Sequence, residues 1–417
     1  MPHGSIARPA SEHFAAVVSL ARPLPPVRRA VQEALGEVLA RPATAVLAVP
    51  PFTNSAMDGF LVRAADVSGE GPWTLRVVGD VPAGGSARPV GAGEAVRIMT
   101  GAPVGEDAVD QLRVIPVEDT DVAPGPGPVP AEVTVRRVSP GRAHIRGAGE
   151  NTRVGDVAVA AGSVVDAGTV AALISVGVTE VDVHPAPRVA VISSGSELVA
   201  PGETPRAGQI PDSNRPMLAA LATAHGAGRV VQNHVGDAEE EFAAALRTAV
   251  DEADLVVTSG GVSVGAYDVV RAVTDSPAGA GSMWFGEVAQ RPGAPQGAGL
   301  WHGTPLLTLP GNPVAAFASF HAYVAPVLRV LAGHRPPADM LDRPTVIARR
   351  GEEFPPVRGR TVFVPVRMEW AGGPVAYPFN GSRTGSHLVA SLADTDGVAV
   401  LTEEGGDTVD VILTRTH

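Results

Sequence analysis

The spacing of apolar residues changes along the chain, and the changes divide it into regions. Between residues 187 and 333, short β-branched runs alternate with amphipathic stretches. Strands are predicted at residues 189–192, 230–231, 255–257 and 306–309, and helices at residues 217–224, 238–252 and 313–328. Alternating strands and helices are typical of βαβ units around a parallel sheet. We therefore predict an α/β domain over residues 187–333.

The start of the chain carries apolar positions at helical spacing. Ser11 is a suitable N-cap for a first short helix. Beyond it, apolar side chains recur every few residues at Val27, Val31, Leu35, Val38 and Leu39. This pattern predicts an opening helical layer.

Short β-like runs dominate the other regions. Runs at residues 73–78 and 95–99 lie between Gly- and Pro-rich turns, and further runs follow at residues 361–366 and 409–413. The predicted fold class is therefore α/β and β multidomain. Its parts are a discontinuous N-terminal domain (8–48 and 142–186), an inserted β domain (49–141), the parallel-sheet α/β domain (187–333) and a C-terminal β domain (334–417).

Composition and charge exclude several classes of protein. The 417 residues carry a formal net charge of −12, whereas nucleic-acid and membrane-surface binders present basic faces. The absence of Cys excludes disulfides, thiolate metal sites and thiol catalysis. The eleven His form no His-x-x-x-His pair, so a histidine zinc site is not expected. All 32 basic residues are Arg, so any anionic ligand must be held locally and without Lys.

No part of the apolar pattern indicates a membrane protein. The N-terminal run at residues 14–21 lacks the basic leader and small-residue cleavage pattern of a signal peptide. The most apolar helical stretch, residues 313–328, contains His321 and is shorter than the ~20 residues of a bilayer span, which favours a buried helix. We expect a cytoplasmic protein.

Four loops of the α/β region each follow a predicted strand. They are residues 193–197 (SSGSE), 235–237 (VGD), 259–265 (SGGVSVG) and 310–313 (PGNP). Parallel strands place such loops at one edge, where glycines let the backbone approach a ligand and helix N-termini present N–H groups to anions. Asn312 and Pro313 fit an N-cap and a first helical position. We predict an anion-binding site at this edge.

Three carboxylates, Glu197, Asp237 and Asp268, fall on the same predicted edge. Taken singly, each acid would more often be a solvated loop tip or a helix cap. Together they favour a hard divalent cation that bridges them to a phosphate, and Mg²⁺ is the natural candidate. The chain has no P-loop, and no Gly-x-Gly-x-x-Gly opens the first βα turn, which disfavours a generic kinase or dehydrogenase.

Six segments form an ordered set of motifs. They are residues 51–60 (PFTNSAMDGF), 96–103 (VRIMTGAP), 192–198 (ISSGSEL), 212–214 (DSN), 258–265 (TSGGVSVG) and 309–313 (LPGNP). In this order they resemble the signatures of the molybdopterin molybdenumtransferases, the bacterial insertases related to the gephyrin E domain. A lone Pro-Gly-Asn-Pro would carry little weight, but six ordered motifs are specific.

The resemblance implies an architecture and a reaction. The α/β domain would bind molybdopterin, and the protein would be a homodimer in which Asp58 and Thr100 of one subunit face the four loops of the other. Its substrates would be molybdate and adenylylated molybdopterin. Metal-assisted cleavage of the adenylate would release AMP and the finished molybdenum cofactor. A molybdopterin adenylyltransferase and apo-molybdoenzymes would be the protein partners.

The resemblance also implies roles for individual residues. The catalytic set would be Asp58, Thr100, Glu197, Asp237 and Asp268, with Asp237 and Asp268 near Mg²⁺. Cofactor-binding residues would be Ser259, Gly260, Gly261, Ser263, Gly265, Arg291, Pro310, Gly311, Asn312 and Pro313. Arg360 and Ser386 resemble the family's molybdate contacts, and a guanidinium with a hydroxyl suits a small tetrahedral dianion.

Two departures from the family pattern keep alternatives open. Residues 291–295 read RPGAP where the family has Lys-Pro-Gly-Lys-Pro, so Ala294 discards a cation, and Asn151 stands where the family often has Asp. One alternative is a paralogue that keeps the dimeric scaffold as a binding protein. Another is an insertase for a different oxyanion such as tungstate, which has nearly the same size and charge as molybdate.

Overall fold

The structure, a computed structural model, describes residues 7–105, 109–260, 269–274, 281–379, 389–402 and 405–414. The chain divides into two units. One comprises Met1–Arg28, Gly36–Ala40 and Asp182–His417. The other comprises Arg29–Leu35 and Arg41–Val181 and is called the inserted unit below.

The strands, numbered in chain order, are β1 Val27–Ala30, β2 Val38–Leu39, β3 Ala43–Thr44, β4 Asn54–Ser55, β5 Gly59–Arg63, β6 Trp73–Val81, β7 Glu94–Ile98, β8 Leu112–Pro116, β9 Glu132–Val135, β10 Ile145–Arg146, β11 Val157–Val159, β12 Glu180–His184, β13 Arg188–Ser194, β14 Leu198–Val199, β15 Ile210–Pro211, β16 Arg229–Val235, β17 Leu255–Ser259, β18 Gly281–Glu287, β19 Gln290–Arg291, β20 Pro295–Trp301, β21 Thr304–Leu309, β22 Thr345–Arg350, β23 Thr361–Glu369, β24 Val375–Pro378, β25 Gly397–Leu401 and β26 Thr408–Leu413. The α-helices are α1 Ala10–Val18, α2 Ala167–Ser175, α3 Asn214–Ala224, α4 Glu239–Glu252, α5 Val269–Thr274, α6 Pro313–Ser319 and α7 Ala325–Leu331. Single 3₁₀ turns occupy Val31–Glu33, Ala64–Val67, Val109–Gln111, Val117–Asp119 and Val389–Leu392.

The inserted unit is built on a five-stranded sheet of order β8-β5-β7-β6-β9. Both faces of the interior strand β5 are covered, since Phe60 and Val62 pack in one apolar cluster and Leu61 packs in another. Such a strand needs a continuous apolar run rather than alternation. The predicted strands at residues 73–78 and 95–99 are confirmed as β6 and β7.

The other unit contains a six-stranded sheet of order β16-β13-β17-β21-β20-β18. The first four strands are parallel, as predicted, and the predicted helices α3 and α4 are also confirmed. Alternate residues of β13 face opposite sides. Val189 and Val191 pack in the cluster that contains α3, and Ala190 and Ile192 pack in the cluster that contains α4. The carboxyl ends of four parallel strands therefore lie at one edge.

The sequence pattern missed the antiparallel β18–β20 hairpin at the end of this sheet. The glycines of β20 hide the strand from prediction, because glycine has low β-propensity. A Cβ on Gly297 would lie 2.5 Å from the Phe285 ring, and one on Gly299 would lie 2.1 Å from the Ser282 carbonyl oxygen. These glycines mark a close approach of two strands rather than a turn.

The C-terminal strands close on themselves. The order β23-β24-β22-β26-β25 is completed by a further pairing of β25 with β23, which makes a five-stranded barrel. The predicted strands at residues 361–366 and 409–413 are confirmed within β23 and β26. The short strand β19 pairs with β23 from outside the ring.

The predicted helical layer after residue 27 is wrong. The segment forms β1, a single 3₁₀ turn and β2 instead. Gly36 has a φ of +85°, which interrupts a helix, and Leu35 is 64% exposed while Val38 is buried. The first helix exists but begins at Ala10 rather than after Ser11, with Pro9 at its N-cap.

The longest helical segment, Pro313–Leu331, is a core element. Asn312 caps it, as predicted, by accepting a hydrogen bond from the Val314 N–H, and Pro313 occupies the first turn. Residues Phe320–Val324 form a π-helical turn within it. Its length and hydropathy would suit a membrane span, but 94% of the segment's apolar window is buried inside the protein, as expected for a core helix.

Buried neutral histidines make the unit that contains the six-stranded sheet less stable at low pH. The His13 ring packs against Trp284 and Tyr323, and burial, with a smaller contribution from Arg8, lowers its pKa to about 3. His321 is 1% exposed, neither ring nitrogen has a hydrogen-bond partner among the described residues, and burial lowers its pKa well below the ordinary value. Both histidines are protonated more readily in the unfolded chain.

We therefore expect stability to fall as the pH drops below 6.5, the ordinary histidine pKa. Between pH 6 and 4 each such histidine should remove about 1.4 kcal/mol from the free energy of unfolding per pH unit. Urea unfolding across this range measures the effect. His13→Leu should reduce the slope by the contribution of one histidine, and an unchanged slope would contradict the assignment.

Candidate functional site

The first two predicted loops meet at the carboxyl edge of the parallel sheet. The Gly195 N–H donates to the Val235 carbonyl at 3.3 Å, and the Ser196 N–H donates to Asp237 Oδ2 at 3.0 Å. A Cβ on Gly195 would lie 2.4 Å from Glu197 Oε2, so the Glu197 carboxylate lies directly beside that glycine. The structure thus brings Glu197 and Asp237 into two adjoining loops.

The third and fourth loops are joined by Asn214 at the start of α3. Its side-chain N–H groups donate to Ser259 Oγ and to the Gly311 carbonyl, each at 2.7 Å. Gly260 donates to the Leu309 carbonyl at 3.2 Å, and a Cβ on Gly260 would lie 2.9 Å from the Ser194 carbonyl oxygen. Only glycine fits there.

Asn214 was missed as a site residue by sequence reasoning. Asn214 belongs to the Asp212-Ser-Asn motif, one of the six on which the family resemblance rests. That motif could have identified Asn214, but no role at the site was predicted for it. The side chain is 8% exposed, and its Oδ1 has no hydrogen-bond partner among the described residues. Because one amide ties two loops together, Asn214 sets their spacing.

A buried polar chain lies beneath the first loop. The Ser193 hydroxyl donates to Asp212 Oδ2 at 2.6 Å, and Arg215 Nε donates to the same oxygen at 2.9 Å. His234 Nδ1 lies 3.1 Å from Ser193 Oγ. Since the serine proton is committed to the carboxylate, Ser193 accepts from His234, which fixes the His234 tautomer with its proton on Nδ1. Ser193 was expected in the first loop, but it is a buried residue of β13.

Of the two predicted arginines, Arg291 lies on β19 and Arg360 lies just before the neighbouring strand β23. Arg291 pairs with Val362 across the parallel β19–β23 ladder, and Arg360 immediately precedes β23. Both residues are exposed. The turn before Arg360 is tight, with positive φ at Arg358 and Gly359. Two guanidinium groups can share the charge of a small dianion if both side chains reach it.

Asp58 and Thr100 are direct neighbours in the inserted unit. The Thr100 N–H and hydroxyl both donate to Asp58 Oδ1, at 2.6 and 2.7 Å. The antiparallel register sets this contact, because Gly59 of β5 lies opposite Ile98 of β7. Both hydrogen bonds lower the pKa of Asp58 below its ordinary value, and the backbone bond has the larger effect.

Asp58 lines a cleft of about 790 Å³ within the inserted unit. Its walls include Glu118, Arg97 and the Pro- and Gly-rich residues 123–128. Arg97 holds this wall in place by donating to both oxygens of Asp80 and to the Gly127 carbonyl. The carboxylate of Asp58 is therefore exposed to solvent but fixed at one oxygen.

Removing the threonine hydroxyl should make Asp58 easier to protonate. In Thr100→Val the backbone N–H bond remains, so the pKa of Asp58 should rise toward its ordinary value without reaching it. An NMR titration of the Asp58 carboxyl carbon measures the change. Thr100→Ser keeps a hydroxyl and should titrate like the wild type. An unshifted titration in Thr100→Val would contradict the contact.

Five predicted site residues lie outside the described residues. They are Gly261, Ser263, Gly265, Asp268 and Ser386. The predicted residues Pro310, Gly311, Asn312 and Pro313 are described and form the turn that leads from β21 into α6.

The donor set at the carboxyl edge is compatible with a hard cation. Asp237 Oδ2 accepts from the Ser196 N–H, and no described residue donates to its Oδ1. Within the described ranges no three His, Asp or Glu side chains cluster as a metal site. A Mg²⁺ ion at this edge would therefore need ligands beyond the described side chains, such as substrate phosphates and water, which is its usual mode of binding.

Family models match the chain in three consecutive parts. Residues 8–177 match the MoeA N-terminal region (domain I and II). Residues 190–330 match a probable molybdopterin binding domain, and residues 348–414 match the MoeA C-terminal region (domain IV).

Individual relatives match over nearly the full length. Molybdopterin molybdenumtransferase 2 of Mycobacterium tuberculosis is 37% identical over 407 residues, covering 95% of this chain and 96% of the relative. Molybdopterin molybdenumtransferase of Staphylococcus aureus is 31% identical over 421 residues, covering 98% and 96%. The crystal structure of a molybdopterin biosynthesis MoeA protein from Pyrococcus horikoshii has a TM-score of 0.78 at 28% identity, covering 99% of this chain and 100% of that chain.

Proposed function

The chain belongs to the molybdopterin molybdenumtransferase family, and from this premise we propose that it transfers molybdenum to molybdopterin and completes the molybdenum cofactor. The observation that carries the proposal is the convergence of four loops on one carboxyl edge. Asn214 joins two of these loops, and the Ser196–Asp237 hydrogen bond joins the others. The Asp58–Thr100 pair and the Asp237 loop retain acids that a scaffold protein would not need.

The substrates in this proposal are adenylylated molybdopterin and molybdate. Glycine backbone at Gly260 and Gly311 allows a flat pterin or a phosphate to approach the edge closely. Arg291 and Arg360 hold the oxyanion by charge-assisted hydrogen bonds. Tungstate would satisfy the same donors, because it matches molybdate in size and charge.

In this proposal the adenylate is cleaved beside the acidic loops at the carboxyl edge of the parallel sheet. A Mg²⁺ ion held by Asp237 and Asp268 would neutralise charge that develops on the phosphates. The Ser196 N–H fixes the orientation of the Asp237 carboxylate, and Glu197 adds a second carboxylate in the adjoining loop. AMP and the finished cofactor are the products.

A homodimer completes the proposal, with Asp58 and Thr100 of one subunit facing the loops of the other. Support comes from the apolar surface of the inserted unit. The exposed apolar residues there are Leu35, Val46, Leu47, Phe52, Val129, Val154, Val157, Val164 and Ile174. Burial of such side chains against a second subunit would remove their apolar area from water. Sedimentation at micromolar concentration should show a dimer, and a fully active monomer would contradict the shared site.

One experiment tests the function directly. The purified protein is incubated with adenylylated molybdopterin, molybdate and Mg²⁺, and AMP release is followed together with activation of an apo-molybdoenzyme. Both signals should appear and both should need molybdate. A protein that acts only as a scaffold would give neither. We place the reaction in the cytoplasm, with a molybdopterin adenylyltransferase upstream and apo-molybdoenzymes downstream.

A further inference from the structure

A cluster of buried polar side chains lies behind the turn at residues 291–295. Its members are Gln290, Gln296, Ser319 and Tyr323, with exposures of 1, 2, 0 and 1%. The two glutamines flank the turn, and Ser319 and Tyr323 lie on the core helical segment. Buried polar groups of this kind are costly unless they are hydrogen-bonded, so their partners indicate what they do.

The amides of both glutamines donate to carbonyl oxygens of the turn. Gln290 Nε2 donates to the Pro292 carbonyl at 2.9 Å, and Gln296 Nε2 donates to the Gly293 carbonyl at 2.8 Å. Both amides also donate to Ser319 Oγ, at 3.3 and 2.7 Å. The Tyr323 hydroxyl donates to Gln290 Oε1 and so fixes the orientation of that amide. Burial raises the pKa of Tyr323, which keeps the donor proton in place.

The third carbonyl of the turn is also bound from inside. The Val288 N–H donates to the Ala294 carbonyl at 2.7 Å. Three consecutive carbonyl oxygens, those of Pro292, Gly293 and Ala294, therefore each accept a hydrogen bond from the protein. Gly293 fixes the path of the turn, since a Cβ there would lie 2.8 Å from Pro310 Cγ and 3.0 Å from Ala315 Cβ.

The direction of these carbonyls matters beside an anion. A carbonyl oxygen carries partial negative charge and would repel an oxyanion held between Arg291 and Arg360. Ala294 supplies no cation of its own to offset such repulsion. Hydrogen bonds that hold the carbonyls toward the core remove the repulsive groups from the ligand side of the turn.

We propose that Gln290 and Gln296, oriented by Ser319 and Tyr323, are positioning residues that make the turn at 291–295 receptive to a tetrahedral oxyanion. The inference rests on the proposed function and deepens it, because it assigns the oxyanion affinity to residues behind the turn as well as to the arginines. The glutamines act through the backbone of the turn and do not touch the substrate.

Calorimetric titration of molybdate into the protein tests the proposal without any turnover. Gln296→Met keeps the side-chain volume but removes the donor to the Gly293 carbonyl. It should weaken molybdate binding about tenfold, the equivalent of one net hydrogen bond. Binding of adenylylated molybdopterin should stay unchanged. In steady-state assays the KM for molybdate should rise while kcat is kept.

Tyr323→Phe is the gentler companion variant, because it removes only the hydroxyl that orients Gln290. It should also weaken molybdate binding, but by a smaller factor. If Gln296→Met does not fold, the molybdate affinity of Tyr323→Phe tests the proposal instead. Wild-type affinity in both variants, or an equal loss of affinity for molybdate and for the pterin substrate, would overturn the inference. A wild-type protein that binds no molybdate would instead overturn the proposed function.

Discussion

Replacement of Asp237 by Asn is expected to slow AMP release by about a hundredfold or more. The substitution removes a charged metal ligand, and loss of metal-assisted charge stabilisation has effects of this size. The loop should remain in place, because the amide oxygen of Asn can still accept the Ser196 N–H bond that Asp237 Oδ2 accepts at 3.0 Å. Single-turnover measurements of AMP release at saturating Mg²⁺ give the rate.

A matched control separates this role from a general loss of negative charge. Asp251 is an exposed acid in the last turn of α4. Asp251→Asn should release AMP at the wild-type rate. A wild-type rate of AMP release in Asp237→Asn, or an equal loss of rate in both variants, would contradict the metal assignment.

Replacement of Arg360 by Ala is expected to raise the molybdate requirement with little effect on the pterin substrate. The reverse change is Ala294→Lys, which adds a cation to the turn beside Arg291. A charged hydrogen bond contributes about 1.5–3 kcal/mol, so this variant should tighten molybdate binding about ten- to a hundredfold if the new ammonium reaches the anion. The hydrogen bonds of the turn should survive the change, since Ala294 contributes its backbone carbonyl to them and not its side chain.

Calorimetry on the three proteins measures both effects. Arg367→Ala provides the control, because Arg367 lies further along β23 and pairs with Glu369 at 3.2 Å. Its removal should leave molybdate affinity unaltered. If neither Arg360→Ala nor Ala294→Lys changes the affinity, the oxyanion site lies elsewhere and the roles of Arg291 and Arg360 must be withdrawn.

Local chemistry determined much of the α/β domain in advance. The strand β13 is buried on both faces, and burial on both faces requires a continuous apolar run, which the sequence displays at Val189–Ile192. The N-cap at Asn312 was equally predictable, because capping depends on neighbouring residues alone. The glycine-rich loops at strand ends then predicted where the candidate site would lie.

Elements that depend on distant neighbours were not predictable from local pattern. Val31 and Val38 fit a helical spacing, yet both are buried in a segment that Gly36 prevents from becoming a helix. The β18–β20 hairpin was missed because Gly297 and Gly299 are required by the close approach of Phe285 and Ser282, which the sequence of β20 does not reveal. Contact with another strand decided these cases.

The sequence by itself determined the family, the order of the four parallel strands in the α/β domain and the acids and arginines expected at the site. The tertiary structure alone decided which polar groups hold that site in shape. Asn214 bonds to Gly311, 97 residues away, and Gln290 bonds to Ser319, 29 residues away. Hydrogen bonds between such distant residues have no periodicity and no local turn signature, so they appear only when the folded chain brings donor and acceptor together.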